Sequence, residues 1–207
     1  MMSLVTEQEA ITHLRQHLAG VWGIVKGGWD DYLSMYSEAV RVIHDSTTRA
    51  NIIHAHQIER ASRYAQSVHD VRLADLSKLK VLVIDGKFAI RFKKFDDELR
   101  SANHPTRQVV DFRAQEQLAG LPPTYNLEAG YLLNQLETEI HSIYLVCPNR
   151  NGNYWAAELC GESATQTIFD LFEKQQVAID DTEEANVVIR PRRGGVVKPI
   201  RRERDES

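Results

Sequence analysis

Apolar positions recur along this chain in two rhythms, and the change between them falls near residue 70. Before it, apolar residues return every three or four positions, the spacing of one helix face. Thr6-x-x-Glu9 reads as a capping box opening a helix whose stripe is Ile11, Leu14, Leu18, Val21, Trp22 and Val25, with Gly27-Gly28 as its end. A second helix is expected from Asp30 to His44, burying Leu33, Tyr36, Val40 and Ile43. Ser46-Thr47-Thr48 then starts a third that runs to about Val68. Short connections between three such helices favour antiparallel packing.

Beyond residue 70 the alternation has period two. The stretch from Lys80 to Phe95, KVLVIDGKFAIRFKKF, centres on Asp85-Gly86, the strongest short-range hairpin signal because a type I′ turn needs φ > 0 at both central residues. A two-residue turn pairs Ile84 with Lys87, Val83 with Phe88, Leu82 with Ala89, Val81 with Ile90 and Lys80 with Arg91. One face would then carry Val81, Val83, Phe88, Ile90 and Phe92, and the other Lys80, Lys87, Arg91 and Lys93 with Leu82, Ile84 and Ala89 between them. A polar break around Ser101, Asn103 and Pro105 follows. Thr106 caps a short helix expected to reach Leu118, stopped by Gly120-Leu121-Pro122-Pro123. Tyr131–Leu136, Ile140–Cys147 and Tyr154–Cys160 read as a meander, Thr165–Lys174 as a helix and Ala185–Ile189 as a last strand. The Arg/Pro/Gly-rich tail from Arg190 reads as loose. The expected class is α+β: an N-terminal three-helix unit, then an antiparallel sheet of about five strands with one or two covering helices. The corresponding division is 1–70 helical, 71–190 sheet domain and 191–207 basic tail.

Composition changes this picture little. The chain has 207 residues, 43% hydrophobic and 26% charged, ordinary for a globular protein. A net charge of −4 argues against coating nucleic acid globally, so anion binding has to come from a local patch. No apolar run approaches the roughly 20 residues of a membrane span, and the N-terminus lacks a basic then apolar leader. Cys147 and Cys160 read as small strand residues in a reduced setting, and the expected location is the cytoplasm.

Candidate chemistry begins with the hairpin. Four like charges on one sheet face repel unless water or an anion lies over them. Lys80, Lys87, Arg91, Lys93 and the adjacent Lys94 are therefore candidate phosphate contacts, with Arg91 supplying a planar fork suited to bidentate binding. Lysines that merely guard a strand are the plainer account, and the apolar Leu82 and Ile84 among them call for some cover. His54-x-His56 invites a catalytic or metal reading. On a helix, however, residues two apart point about 200° apart, so both imidazoles cannot reach one ion. His54 falls in line with Ile58, Ala61, Ala65 and Val68, and is either a core-lining imidazole or a general acid or base tuned by burial. His56 falls with Arg49, Ile52, Arg60 and Arg63, either a solvated face or a second anion-binding stripe. No phosphate loop, dinucleotide fingerprint, zinc-peptidase motif or nucleophile elbow is present, and neither metal nor cofactor is expected.

TRANIIHAHQIERA at 48–61, FAIRFKKFDDELRSANHPTRQVVDFRAQEQLAGLPP at 88–123 and GYLLNQLETEIHSIYLVCPN at 130–149 together resemble a family of uncharacterised bacterial and phage proteins. Its genes commonly lie beside regulators that join a helix-turn-helix to a zinc-peptidase-like domain. The resemblance implies a prokaryotic setting, a regulator as partner, and a toxin–antitoxin or phage-defence pair. The motif positions carried over are Arg49, His54, His56, Arg91, Lys93 and Lys94. Two functions follow as expectations. One is a toxin-like effector acting on nucleic acid or a nucleotide, in the manner of a metal-free ribonuclease, with Arg91, Lys93 and Lys94 holding phosphate, Arg49 adding a second contact and His54 or His56 moving a proton. The other is a non-catalytic protein that docks the neighbouring regulator.

Overall fold

The Thr6 hydroxyl accepts the Glu9 N–H at 3.3 Å while the Glu9 carboxylate takes the Thr6 N–H at 2.9 Å, and this box opens α1, Glu7–Leu14, in the computed structural model of the chain. Residues 4–76, 79–102 and 106–161 are described, with the backbone alone of 188–191. The expected helix at Thr165–Lys174 and the tail beyond residue 191 lie outside them.

A 3₁₀ turn, Arg15–His17, interrupts the first helical stripe before α2, Leu18–Met35. Gly27-Gly28 does not end a helix, contrary to the sequence expectation; α2 runs straight through it. The reason is packing. A Cβ on Gly27 would lie 2.3 Å from the Arg60 guanidinium, and one on Gly28 would lie 2.5 Å from the Gln57 side chain. These glycines let α4, Ser46–Ser67, approach α2 closely. Asp45 rather than Ser46 caps α4, accepting the Thr48 N–H at 2.6 Å. The expected helix over 30–44 is likewise divided: its first part belongs to α2, and α3, Glu38–Ile43, buries none of its residues.

The strands are β1 (Val71–Leu76), β2 (Leu79–Ile84), β3 (Phe88–Lys94), β4 (Tyr125–Leu133), β5 (Ile140–Pro148) and β6 (Asn153–Cys160), with α5 (Arg107–Arg113) between β3 and β4. They form one sheet in chain order, and a short strand β7, Val188–Pro191, adds antiparallel to β6. The sheet is mixed, not purely antiparallel as expected: β3 and β4 run parallel, paired from Phe88↔Tyr125 to Lys94↔Tyr131. A parallel pair needs a long crossover, and residues 95–124 supply it. α5 is its helix, shorter than the expected run to Leu118.

The hairpin turn has the expected backbone and an unexpected register. Asp85 and Gly86 have φ of 52° and 64°, and the Lys87 N–H donates to the Ile84 carbonyl at 3.0 Å. The ladder resumes with Ile84 opposite Phe88, so every expected pair moves by one residue. The Lys87 carbonyl instead takes the Tyr125 N–H of β4 at 2.7 Å. A one-residue shift exchanges the faces of β2 relative to β3. Leu82 and Ile84 therefore join Phe88, Ile90 and Phe92 in the main core, which continues into Leu14, Val21, Val25, Trp29 and Ile53 of the helices. Val81, Val83 and Ala89 lie on the other face, under Phe112 of α5 and Leu118 and Leu121. The open basic sheet face read from the sequence does not exist. Both faces are covered.

Candidate functional site

β2 pairs with β1 along its whole length but with β3 only through Leu82–Ile84. Past Ile90 the two strands part, and β3 continues to Lys94 held by β4 alone on its other side. A groove of about 1440 Å³ opens at this divergence. Leu79 and Lys80 stand on one side, Arg91 lies in the wall and Phe92 to Phe95 form the floor. The N-terminal half of α4 leans over it with Ser46, Asn51 and His54, and α5 with Thr106, Gln108 and Arg113. The turn carrying Glu137 closes one end.

His54 occupies the place where the missing β2 partner leaves the β3 backbone unpaired. Burial pushes its imidazole down to about 4, helped by the positive charges of Lys93, Arg91 and Lys80, while a hydrogen bond with the Phe92 backbone works the other way. The ring is neutral at pH 7. Lys93 is the half-buried ammonium of the floor, and no ion pair among the described residues involves it. Burial, and then the neighbouring Arg91, bring it down to about 8, with Glu128 opposing. At pH 7 the imidazole is an unprotonated acceptor near a lysine that gives up its proton more readily than usual, and the surrounding cations can hold an anion.

The other candidates separate. Arg91, 3% exposed, is a wall residue: its guanidinium lies 5.1 Å over the Phe112 ring, and its Nε is 3.7 Å from Oε1 of Glu128, its register partner on β4. Removing one member of such a buried pair typically costs about 3–5 kcal/mol, because the other charge is left uncompensated. Lys94 lines the groove but is tied to Glu137 and, at 3.0 Å, to the Ser46 hydroxyl. Arg49 pairs with the same Glu137, clamping α4 to the β4–β5 turn from outside the groove. Lys80 is exposed at the mouth, 3.9 Å from Asp75. Lys87 sits exposed at the tip of the turn, at the opposite end of β3, and is not part of the site. His56 also drops out. It lies on the side of Asp31, and its Nε2 is buried without a hydrogen-bond partner. Asp31 itself is bound by Arg60 through contacts of 2.6 and 2.7 Å, and that bond, with His56 adding to the field, holds it below the usual carboxylate range.

Four residues that the sequence reading passed over complete the site. Arg113 donates to the carbonyls of Asn149 and Gly152, each at 3.1 Å, and to the Ser101 hydroxyl at 3.4 Å. Ser101 in turn donates to Glu128 at 2.8 Å. Glu137 is the hub for Lys94 and Arg49. Glu128 was signalled as the one acid inside the apolar run Tyr125–Leu133, a strand the period-two reading began only at Tyr131. Among the described residues no three His, Cys, Asp or Glu side chains gather as a metal site, and no helix is long and apolar enough to cross a membrane. No family model matches the chain, and neither a curated protein nor a solved structure is significantly similar to it.

Proposed function

We propose that this protein is the toxin-like effector of a prokaryotic toxin–antitoxin or phage-defence pair, acting on a nucleic acid or nucleotide held in the groove where β2 and β3 part. One observation carries the reading: His54 from α4 and Lys93 and Lys94 from β3, picked out separately in the sequence, line a single groove with Arg91 in its wall. The basic surface is thus a cleft between helix and strand edge rather than an open sheet face. In a ribonuclease version, His54 takes the proton of the attacking hydroxyl and Lys93 returns one to the leaving oxygen, while the cations offset charge on the phosphorane. A phosphate seated beside Lys93 and Arg91 cancels the field that helps to depress His54, and so raises its basicity when substrate is bound.

Tightly controlled induction in a bacterial host tests this. Wild type is expected to arrest growth, and Lys93→Glu and His54→Gln at matched soluble levels are expected to leave growth unaffected. Absence of arrest from folded wild-type protein overturns the effector reading. It would leave the second one, a non-catalytic partner of a neighbouring regulator. That reading is favoured by the apolar side chains Met35, Val42 and Ile43, which are 67–79% exposed around α3.

A further inference from the structure

The inner end of the groove is charged differently from its rim. At the rim the charges are matched: Lys94 with Glu137, Arg100 with Asp96 and Glu98, and Arg150 with Glu116, with Asp97 also exposed there. Further in, Arg91 lies 3.7 Å from the single carboxylate of Glu128, Arg113 reaches it through the Ser101 hydroxyl, and Lys93 stands within its field without pairing to it. Among the described residues, three cations there meet one anion. Glu128 is fully buried and Arg91 nearly so, and in such surroundings water screens like charges poorly. An anion with more than one negative charge is what restores the balance.

We infer that this inner end is a subsite for a terminal phosphomonoester, the charged end of a free nucleotide or of a phosphorylated strand. The inference rests on reading the groove as a nucleotide or nucleic-acid site, and it narrows that reading. A phosphomonoester carries a charge of about −1.5 to −2 at pH 7, matching the surplus, whereas a bridging phosphodiester leaves part of it uncompensated. Lys93 offers its ammonium as a contact, and Arg113 has N–H groups beyond the three that bind Asn149, Gly152 and Ser101. Arg91 contributes its field from behind, held against Phe112 and Glu128. The cavity of about 1440 Å³ leaves room beyond the subsite for sugar and base, and for further nucleotides.

Calorimetric titration of the full chain tests the subsite. The probes are one deoxy-octanucleotide bearing a 5′-phosphate, a 3′-phosphate or neither, together with AMP, adenosine and inorganic phosphate. The deoxy backbone lacks the 2′-hydroxyl that a ribonuclease reaction consumes. One phosphorylated form is expected to bind about tenfold or more tightly than the unphosphorylated strand, as a charge-assisted contact predicts. Lys93→Met and Lys93→Gln, checked for native melting, are expected to erase that preference, so that the phosphorylated and unphosphorylated strands bind the variants alike. Should those variants misfold, the wild-type comparison alone decides. Equal binding of all three strands overturns the subsite and leaves the groove's nucleic-acid reading standing. Binding of AMP over adenosine without any strand supports the subsite and identifies free nucleotides as its ligands. Failure of every probe overturns both.

Discussion

His54 joins a buried position to a positive field, and both act in one direction on its proton affinity. In the unfolded chain the imidazole titrates near its ordinary value of 6.5, whereas in the fold it does so near 4. Between these values the unfolded state binds more protons, so stability rises with pH across the window and is lost as pH falls from 6.5 towards 4. Urea unfolding of wild type and His54→Leu over that range is expected to show the wild type losing up to roughly 3 kcal/mol more than the variant. His17, also lowered by burial, has the same sign in both proteins and cancels in the comparison. A difference that does not change with pH would show that the folded ring titrates normally. His54 was legible in the sequence because it interrupts an apolar helical stripe. Arg113 and Ser101 were not: each looks like any polar residue of a connecting segment, and the carbonyls and carboxylate they engage are distant in the chain.

At the scale of elements, glycine has two meanings that spacing alone does not separate. Gly27-Gly28 suggested a helix end, yet the pair sits mid-helix because α4 crosses there at close range. Gly23, on the same helix, has open space where its Cβ would be. Gly23→Ala is therefore expected to stabilise by about 0.5–1 kcal/mol through helix propensity. Gly28→Ala is expected to destabilise by roughly 1–3 kcal/mol, since its Cβ meets Gln57 at 2.5 Å and the Ile53 carbonyl at 3.2 Å. Thermal melting of the two variants decides the point, and loss of stability in both would contradict it. The hairpin teaches the same lesson in strands. Asp85-Gly86 dictated the turn conformation locally, but the Lys87 carbonyl pairs with β4 and the register is displaced by one residue, which breaks up the face that looked basic.

At the scale of the molecule, helices and sheet share one apolar cluster that runs from Ala10 through Trp29 and Ile53 to Phe88, Leu127 and Leu145. Trp155 of β6 donates its indole N–H to the Val5 carbonyl at 2.9 Å, tying the start of the chain to the sheet. Such continuity makes unfolding a single transition. Urea curves followed by far-ultraviolet circular dichroism, weighted to the helices, are expected to coincide with those followed by tryptophan fluorescence from Trp22, Trp29 and Trp155. Separate transitions would mean that residues 1–70 form an independent unit. The groove belongs to this scale too, because α4, β3, α5 and the β4–β5 turn each contribute one side of it.

By itself, the order of residues determined the helical first third, the capping box, the Asp-Gly turn, the β4–β6 meander and the prominence of His54, Lys93 and Lys94. These are signals between residues a few positions apart, where backbone geometry and the period of side chains act directly. Tertiary structure alone decided that β3 pairs in parallel with β4, that the hairpin register shifts, that Arg91 is walled in against Phe112 and Glu128, and that His54 and Lys93 share a groove while His56 and Lys87 stay outside it. Each of those outcomes depends on which distant segment covers a given face or takes a given backbone carbonyl. That competition is settled by burial and hydrogen bonding across the whole fold rather than by any local pattern.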